Sequence, residues 1–342
     1  MPPSPETWLS VTKSGLYCEP GGFFIDPTGR QDRAVITHGH GDHARPGHAR
    51  VLATPETLAI MEVRYGDKAG RERQPLGLDE PLDIGGVRVT LKPAGHVLGS
   101  AQVVLEYEGS RAVISGDFKR RRDPTCPLYE PVDCDVFVTE ATFALPVFRH
   151  PDDKGEIEKL LKSQRLNPDR AHLVGVYGLG KAQRVIRLLR EAGYDRPLYI
   201  HGALEKLCAL YESFGIDLGP LLPATGADKE TLRGELVLAP PGSANDRWSR
   251  RLPDPLVAFA SGWMMVRQRA RQRARQRGVE LPLVLSDHAD WDELIRTIDD
   301  LPSAEIWVTH GAEEALVHHA TLKGRRARAL SLVGRDDEEA QT

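Results

Sequence analysis

Six consecutive residues, His38-Gly39-His40-Gly41-Asp42-His43, directly follow an apolar run at Ala34 to Thr37 and constrain this chain more than any other stretch. Three imidazoles and a carboxylate supply donors for divalent cations, and Gly39 and Gly41 remove side chains that would crowd so tight a turn. A ligand loop of this kind at a strand end can serve more than one ion. The chain holds only 12 histidines in 342 residues, so the local density is not a product of composition.

Other fragments extend the donor set. His96 lies in the small-residue turn Pro93-Ala94-Gly95-His96-Val97-Leu98-Gly99-Ser100, and Asp117 ends the strand candidate Ala112 to Ser115 through Ser115-Gly116-Asp117. Near the other end come Ser286-Asp287-His288 and Val308-Thr309-His310-Gly311. His38, His40, Asp42, His43, His96, Asp117 and His310 are more ligands than one four-coordinate ion can use, so two ions are expected, bridged by Asp117 at a separation of about 3.5 to 4 Å. His48, His150, His172, His201, His318 and His319 lack such a setting and read as structural or solvent-facing. The cysteines Cys18, Cys126, Cys134 and Cys208 form no CxxC pair, which argues against a disulfide scaffold and a thiolate zinc site.

Short β-branched runs alternate with amphipathic stretches, which favours layered α/β architecture. The first 115 or so residues read as strands joined by short turns such as Glu108-Gly109-Ser110, hence antiparallel. Beyond about residue 150 strand and helix alternate: Leu173 to Val176, a helix from Lys181 to Glu191, Leu198 to Ile200, then a helix from Leu204 to Phe214. That rhythm predicts a separate parallel unit. Apolar runs fall far short of the roughly 20 residues a bilayer span needs. The start, MPPSPETWLS, has no secretory pattern, so a cytoplasmic protein is expected. The formal charge of −4 leaves any polyanion to be held by local basic patches.

These residues resemble the metallo-β-lactamase fold in its HxHxDH turn, later histidine and bridging aspartate. The likeness extends to the β-CASP nucleases: Thr139-Glu140-Ala141-Thr142-Phe143 looks like their acidic motif A, and His288 and His310 look like motifs B and C. Gly178-Leu179-Gly180-Lys181-Ala182-Gln183-Arg184 is similar to a turn of their inserted domain. Within the group, THGHGDHARPGH, AGHVLGSAQ, SGDFKRRRDPTCPLYEPVDCDVFVTEATFALP and FASGWM resemble the bacterial ligase-associated putative DNA exonucleases. The resemblance implies an αββα metallo-β-lactamase sandwich from residues 1–150 and 283–342, with a β-CASP α/β domain inserted at 151–282. It implies a two-metal phosphodiesterase degrading DNA ends, a 5′ exonuclease in DNA repair, with a DNA ligase or other repair proteins as partners and no membrane.

By that resemblance His38, His40, His96 and Asp117 hold one ion, and Asp42, His43, Asp117 and His310 the other. Zinc suits so many imidazoles, and manganese accepts the same donors. Asp42 takes a proton from the attacking water, His288 protonates the leaving oxygen, Glu140 orients His288, and Asp26 supports the ligands from behind. A histidine at motif C is usual among RNA-processing members, which keeps an exo- or endoribonuclease of the RNase J type open. A thioester or lactam hydrolase is the alternative of another class, against which the inserted domain and His288 speak.

Nucleic-acid contacts are expected from Lys119, Arg120, Arg121 and Arg122, beside Asp117, and from Lys181 at a helix start where free amides favour anions. The run Arg267 to Arg277 spreads its arginines all around a helix, so part of it must face water. With 6% aromatics the chain carries no dense stacking platform, and Tyr177, Phe143 and Trp263 are isolated candidates.

Overall fold

The computed structural model describes residues 2–266 and 278–332. The run Arg267 to Arg277 and the acidic tail Asp336 to Thr342 lie outside the described residues. The chain divides into two compact units, one of the residues up to Pro146 together with those from His288 onward, the other of Val147–Asp287.

The first unit holds two sheets. One runs in the order β1 (Leu9–Thr12), β2 (Gly15–Cys18), β3 (Phe23–Ile25), β4 (Arg33–Val35), β5 (Arg50–Ala53), β6 (Glu72–Pro75). Its first pairings are antiparallel, but from β3 to β6 the neighbours are parallel, which corrects the antiparallel reading for residues 23–75 only. The connections explain this: β5 reaches β6 through helix α1 (Pro55–Tyr65), a crossover of the kind parallel neighbours require.

In the other sheet the outer strands are a meander, β7 (Pro81–Ile84), β8 (Val87–Pro93), β9 (Ala101–Tyr107) and β10 (Ser110–Ile114). Glu108 and Gly109, both at positive φ, close the β9–β10 hairpin in two residues, the geometry that matches strand twist. The parallel strand β11 (Val136–Ala141) follows. Two unit-one strands from the far end of the chain complete the sheet, β18 (Glu305–Gly311) and β19 (Ala327–Ala329).

One apolar cluster draws on both sheets, with Leu16, Phe23, Ile25 and Val35 from one and Val89, Leu91, Val103, Leu105, Ile114 and Trp307 from the other. Leu58 and Met61 of α1 pack with Ala34, Ile36 and Val51 on the first sheet. Helix α5 (Trp291–Asp300) and helix α6 (Glu313–Leu322) bring Leu294, Ile298 and Leu316 to Val113, Phe137 and Val308 of the second. Burying these side chains contributes about 1.5 to 3 kcal/mol for each large one, and it fixes the strand ends from which the donor loops leave.

The second unit is a six-stranded parallel sheet, ordered β14 (Leu221–Pro223), β13 (Leu198–Ile200), β15 (Leu236–Ala239), β12 (His172–Gly175), β16 (Leu256–Ala260), β17 (Leu281–Leu283). β12 and β15 are buried along their whole length, as strands covered on both faces must be. Among the described residues its α-helices are α2 (Asp153–Leu166), α3 (Lys181–Glu191) and α4 (Gly202–Ser213). No described helix is long and apolar enough to cross a membrane.

Candidate metal centre

The His38 loop is anchored from behind by Asp26. This carboxylate is fully buried, just past β3, and accepts from the Thr37 N–H at 2.8 Å and the Thr37 hydroxyl at 2.6 Å. Its Oδ2 also lies 2.8 Å from His43 Nδ1. A carboxylate at Nδ1 keeps the imidazole proton there and leaves the Nε2 lone pair facing the other way. His43 Nε2 duly lies 3.4 Å from Asp117 Oδ2 and 3.5 Å from Asp42 Oδ2. Arg64 of α1 holds the turn itself, donating to the Gly39 carbonyl at 2.8 Å.

His96 arrives from the loop between β8 and β9. Gly95, at φ +75°, lets that loop press against the next one: a Cβ there would sit 2.3 Å from the Lys119 carbonyl oxygen. The His96 N–H donates to Ser100 Oγ at 3.1 Å, and the ring Nε2 lies 3.0 Å from His40 Nδ1. Asp117, just beyond β10, places Oδ2 3.4 Å from His38 Nε2 and 3.8 Å from His96 Nε2.

His310 is aimed by an irregularity in the sheet. The register of β11 against β18 runs Thr139 opposite Val308 and then Ala141 opposite Gly311, so Thr309 and His310 together face Glu140. Such a bulge bends the strand and redirects its side chains. His310 takes φ +63° within it, and Gly311 follows at φ +112°, where a Cβ would meet the Ala141 carbonyl at 2.3 Å. Only glycine fits there. The His310 ring centroid lies 5.5 Å from that of His43.

The donors thus form two groups, His38, His40, His96 and Asp117 in one and Asp42, His43 and His310 in the other, each with ligand atoms within 4.8 Å of one another. His38 Nε2, His43 Nε2, Asp117 Oδ1 and both ring nitrogens of His310 are buried without a hydrogen-bond partner among the described residues. So many orphaned donors would be costly in a core without a purpose, and they fit divalent cations. Charge agrees. Burial alone would lower His43, yet the carboxylates of Asp117, Asp42 and Asp26 raise it to about 9. Burial, reinforced by His43, lowers His38 well below the ordinary range. Asp117 is held well below the carboxylate range because His43, His288 and His310 outweigh its desolvation.

Beside these groups, His288 Nδ1 pairs with Glu140 Oε2 at 3.0 Å and lies 4.0 Å from Asp117 Oδ2. Glu140 Oε1 accepts from the Phe118 N–H at 2.8 Å, so one carboxylate orients the ring and ties down the segment after Asp117.

The basic residues are placed differently from their expected role as a phosphate rim. Lys119 is 1% exposed, with Nζ 3.2 Å from the His288 carbonyl and 3.6 Å from Glu293. Arg120 pairs with Asp300 at 2.6 Å and stacks over Tyr129, and Arg121 pairs with Asp290 at 2.8 Å. Arg122 is exposed. Lys181 is fully buried in the second unit, 2.6 Å from Asp287. Phe143 is buried as well, which leaves no face for a base. Sequence reasoning did not find Thr37 or Arg64; the hydroxyl next to His38 was a usable signal, whereas nothing local marked an arginine on α1.

Glu293 yields a stability prediction. Its burial would raise it, but Lys119 and Arg121 bring it down to about 2. The unfolded value is about 4.3, so ionised Glu293 stabilises the fold by about 3 kcal/mol above that pH, lost as pH falls toward 2. Glu293→Gln is expected to lose that increment at neutral pH and to flatten the acid limb between about pH 4.3 and 2. Denaturant unfolding at several pH values checks it; parallel curves for the two proteins would contradict it.

No family model matches the chain. A probable DNA ligase of Opitutus terrae is 30% identical over 328 residues, covering 94% of this chain and 31% of that protein. Endoribonuclease YSH1 of Mycosarcoma maydis is 29% identical over 231 residues, 54% of this chain and 26% of the relative. An RNase J-like protein of Methanocaldococcus jannaschii is 22% identical over a 361-residue alignment, 88% of this chain and 83% of the relative. The chain spans less than a third of the length of the first two. A solved structure of a protein of unknown function from Enterococcus faecalis V583 shares the fold, with a TM-score of 0.61 at 15% identity over 89% of this chain and 80% of that one. Relatives of the Ysh1 and RNase J kinds, with the ligase-named protein, are homologues of the chain and match its resemblance to the β-CASP nucleases of the metallo-β-lactamase fold.

Proposed function

We propose that the chain is a metal-dependent phosphodiesterase that degrades DNA ends as a 5′ exonuclease in DNA repair. In this reading the first unit is an αββα metallo-β-lactamase sandwich and the second is the inserted β-CASP domain. The observation that carries it is the pair of donor groups around Asp117 Oδ2, 3.4 Å from His38 in one and 3.4 Å from His43 in the other. Zinc or manganese would be held by His38, His40, His96 and Asp117 and by Asp42, His43, Asp117 and His310. Bound there, two such cations lower the pKa of water toward neutrality and offset charge on phosphate oxygens.

The chain's own groups do the rest. Asp42, 6% exposed, accepts a proton from the attacking water. His288, kept at the site by Glu140 on Nδ1, delivers a proton from Nε2 to the leaving oxygen. A DNA substrate and a ligase or other repair proteins as partners are supported by the relative matched over 94% of this chain, which is named a probable DNA ligase. The second reading, RNA processing, is favoured by the endoribonuclease and RNase J-like relatives. End-labelled single-stranded DNA and RNA of one sequence, each supplied with zinc or manganese, separate the two. The expected result is faster loss of DNA from its 5′ end; faster RNA turnover would establish the second reading.

A further inference from the structure

We propose that Lys119 is a positioning residue for His288, holding the main chain of residue 288 against the segment that carries Asp117, and is not a phosphate contact. The inference deepens the proposed function and rests on it for the role of His288. Lysine is almost never fully buried unless its charge is met, and Lys119 is 1% exposed. Glu293 supplies the counter-charge at 3.6 Å, and the ammonium donates to the His288 carbonyl at 3.2 Å.

Three loops meet at this residue. The Lys119 N–H donates to the Ala94 carbonyl at 3.0 Å, two residues before His96, while the Lys119 carbonyl fills the space a side chain on Gly95 would need. Immediately before it, the Phe118 carbonyl accepts from the Ala289 N–H at 2.6 Å, and the Phe118 N–H donates to Glu140. His288 is thereby fixed at three points: its ring by Glu140, its carbonyl by Lys119, and the following N–H by Phe118. An apolar side chain at 119 would leave the buried His288 carbonyl without this donor, and a loosened main chain would let the ring leave its line. A surface arginine or lysine run has no need of such placement.

Lys119→Met keeps the unbranched stem out to Cε and removes the donor. It would also leave Glu293 charged and buried, so the comparison is made in a Glu293→Gln background, where the amide oxygen still accepts from one of the two backbone N–H groups, of Arg121 and Asp290, that the carboxylate serves. Two readouts are expected to move relative to Glu293→Gln alone, with metal content retained, and a third to stay unchanged. Deuterium exchange at the Ala289 amide speeds up by about tenfold. The kcat on nucleic acid falls by about 10- to 100-fold with KM unchanged. In a His288→Ala background the same replacement leaves kcat unaltered, because its effect passes through that ring.

Unchanged exchange at Ala289 would overturn the proposal. So would a kcat loss that persists at full size without His288, which would mark a purely structural residue, and so would a rise in KM with a shallower salt dependence, which would mark a phosphate contact. Should the parent protein cleave neither DNA nor RNA, the proposed function fails, and exchange at Ala289 still decides whether Lys119 holds this segment.

Discussion

Asp117→Ala is expected to lose bound metal and nucleic-acid cleavage together. Its Oδ2 is the atom common to the cluster, 3.4 Å from His38, 3.4 Å from His43 and 3.8 Å from His96. The two donor groups are otherwise separate, so no other single replacement takes a ligand from both. Three histidines keep the carboxyl ionised by outweighing its desolvation, and without it they face one another in a buried space. The expected fall in kcat/KM is on the order of 10⁴-fold or more, the scale seen when a residue that acts within a catalytic unit is removed. Elemental analysis of the purified variant checks the metal half of the claim, and end-labelled substrate the other half. Full metal occupancy in Asp117→Ala would contradict a shared carboxylate.

His288→Ala should behave differently, keeping its metal while losing rate by about 10²- to 10⁴-fold, the contribution typical of a positioned acid or base. The division follows from geometry. His288 turns Nδ1 toward Glu140 at 3.0 Å and stands 4.0 Å from Asp117, outside the four-residue group of His38 and the three-residue group of Asp42. Glu140→Gln should give a smaller loss of about 10- to 100-fold, since it orients the ring without touching substrate. Single-turnover rates together with metal content test the pair of predictions. Loss of metal in His288→Ala would move that residue from proton transfer into the ligand set.

The donor loop was legible because its ligands lie within six residues and follow an apolar strand. His96, Asp117 and His310 were legible more weakly, each through a strand ending in a small residue and a donor. What no local pattern carried was the bulge that makes His310 and Gly311 face Glu140 and Ala141, because it exists only once β11 and β18 pair across more than 160 intervening residues. The basic run misled for the same reason. Lys119, Arg120 and Arg121 look like a solvent-facing patch until Asp290, Glu293 and Asp300 arrive from α5, 169 to 180 positions along the chain.

The second unit was readable as strand and helix in alternation, with β13 and α3 found to the residue. Apart from β4, the first sheet was hidden. Its strands are three or four residues long, and β6, Glu-Arg-Gln-Pro, is exposed at every position, so neither alternation nor an apolar run marks it. The parallel pairing of β5 with β6 uses α1 as a crossover, a feature of connection length more than of composition.

Anomalous diffraction from crystals grown with zinc or manganese tests the central claim most directly. The account predicts two peaks per chain about 3.5 to 4 Å apart, flanking Asp117, one among His38, His40 and His96 and the other among Asp42, His43 and His310. A single peak, or a pair that leaves Asp117 or His310 without a metal neighbour, would contradict it.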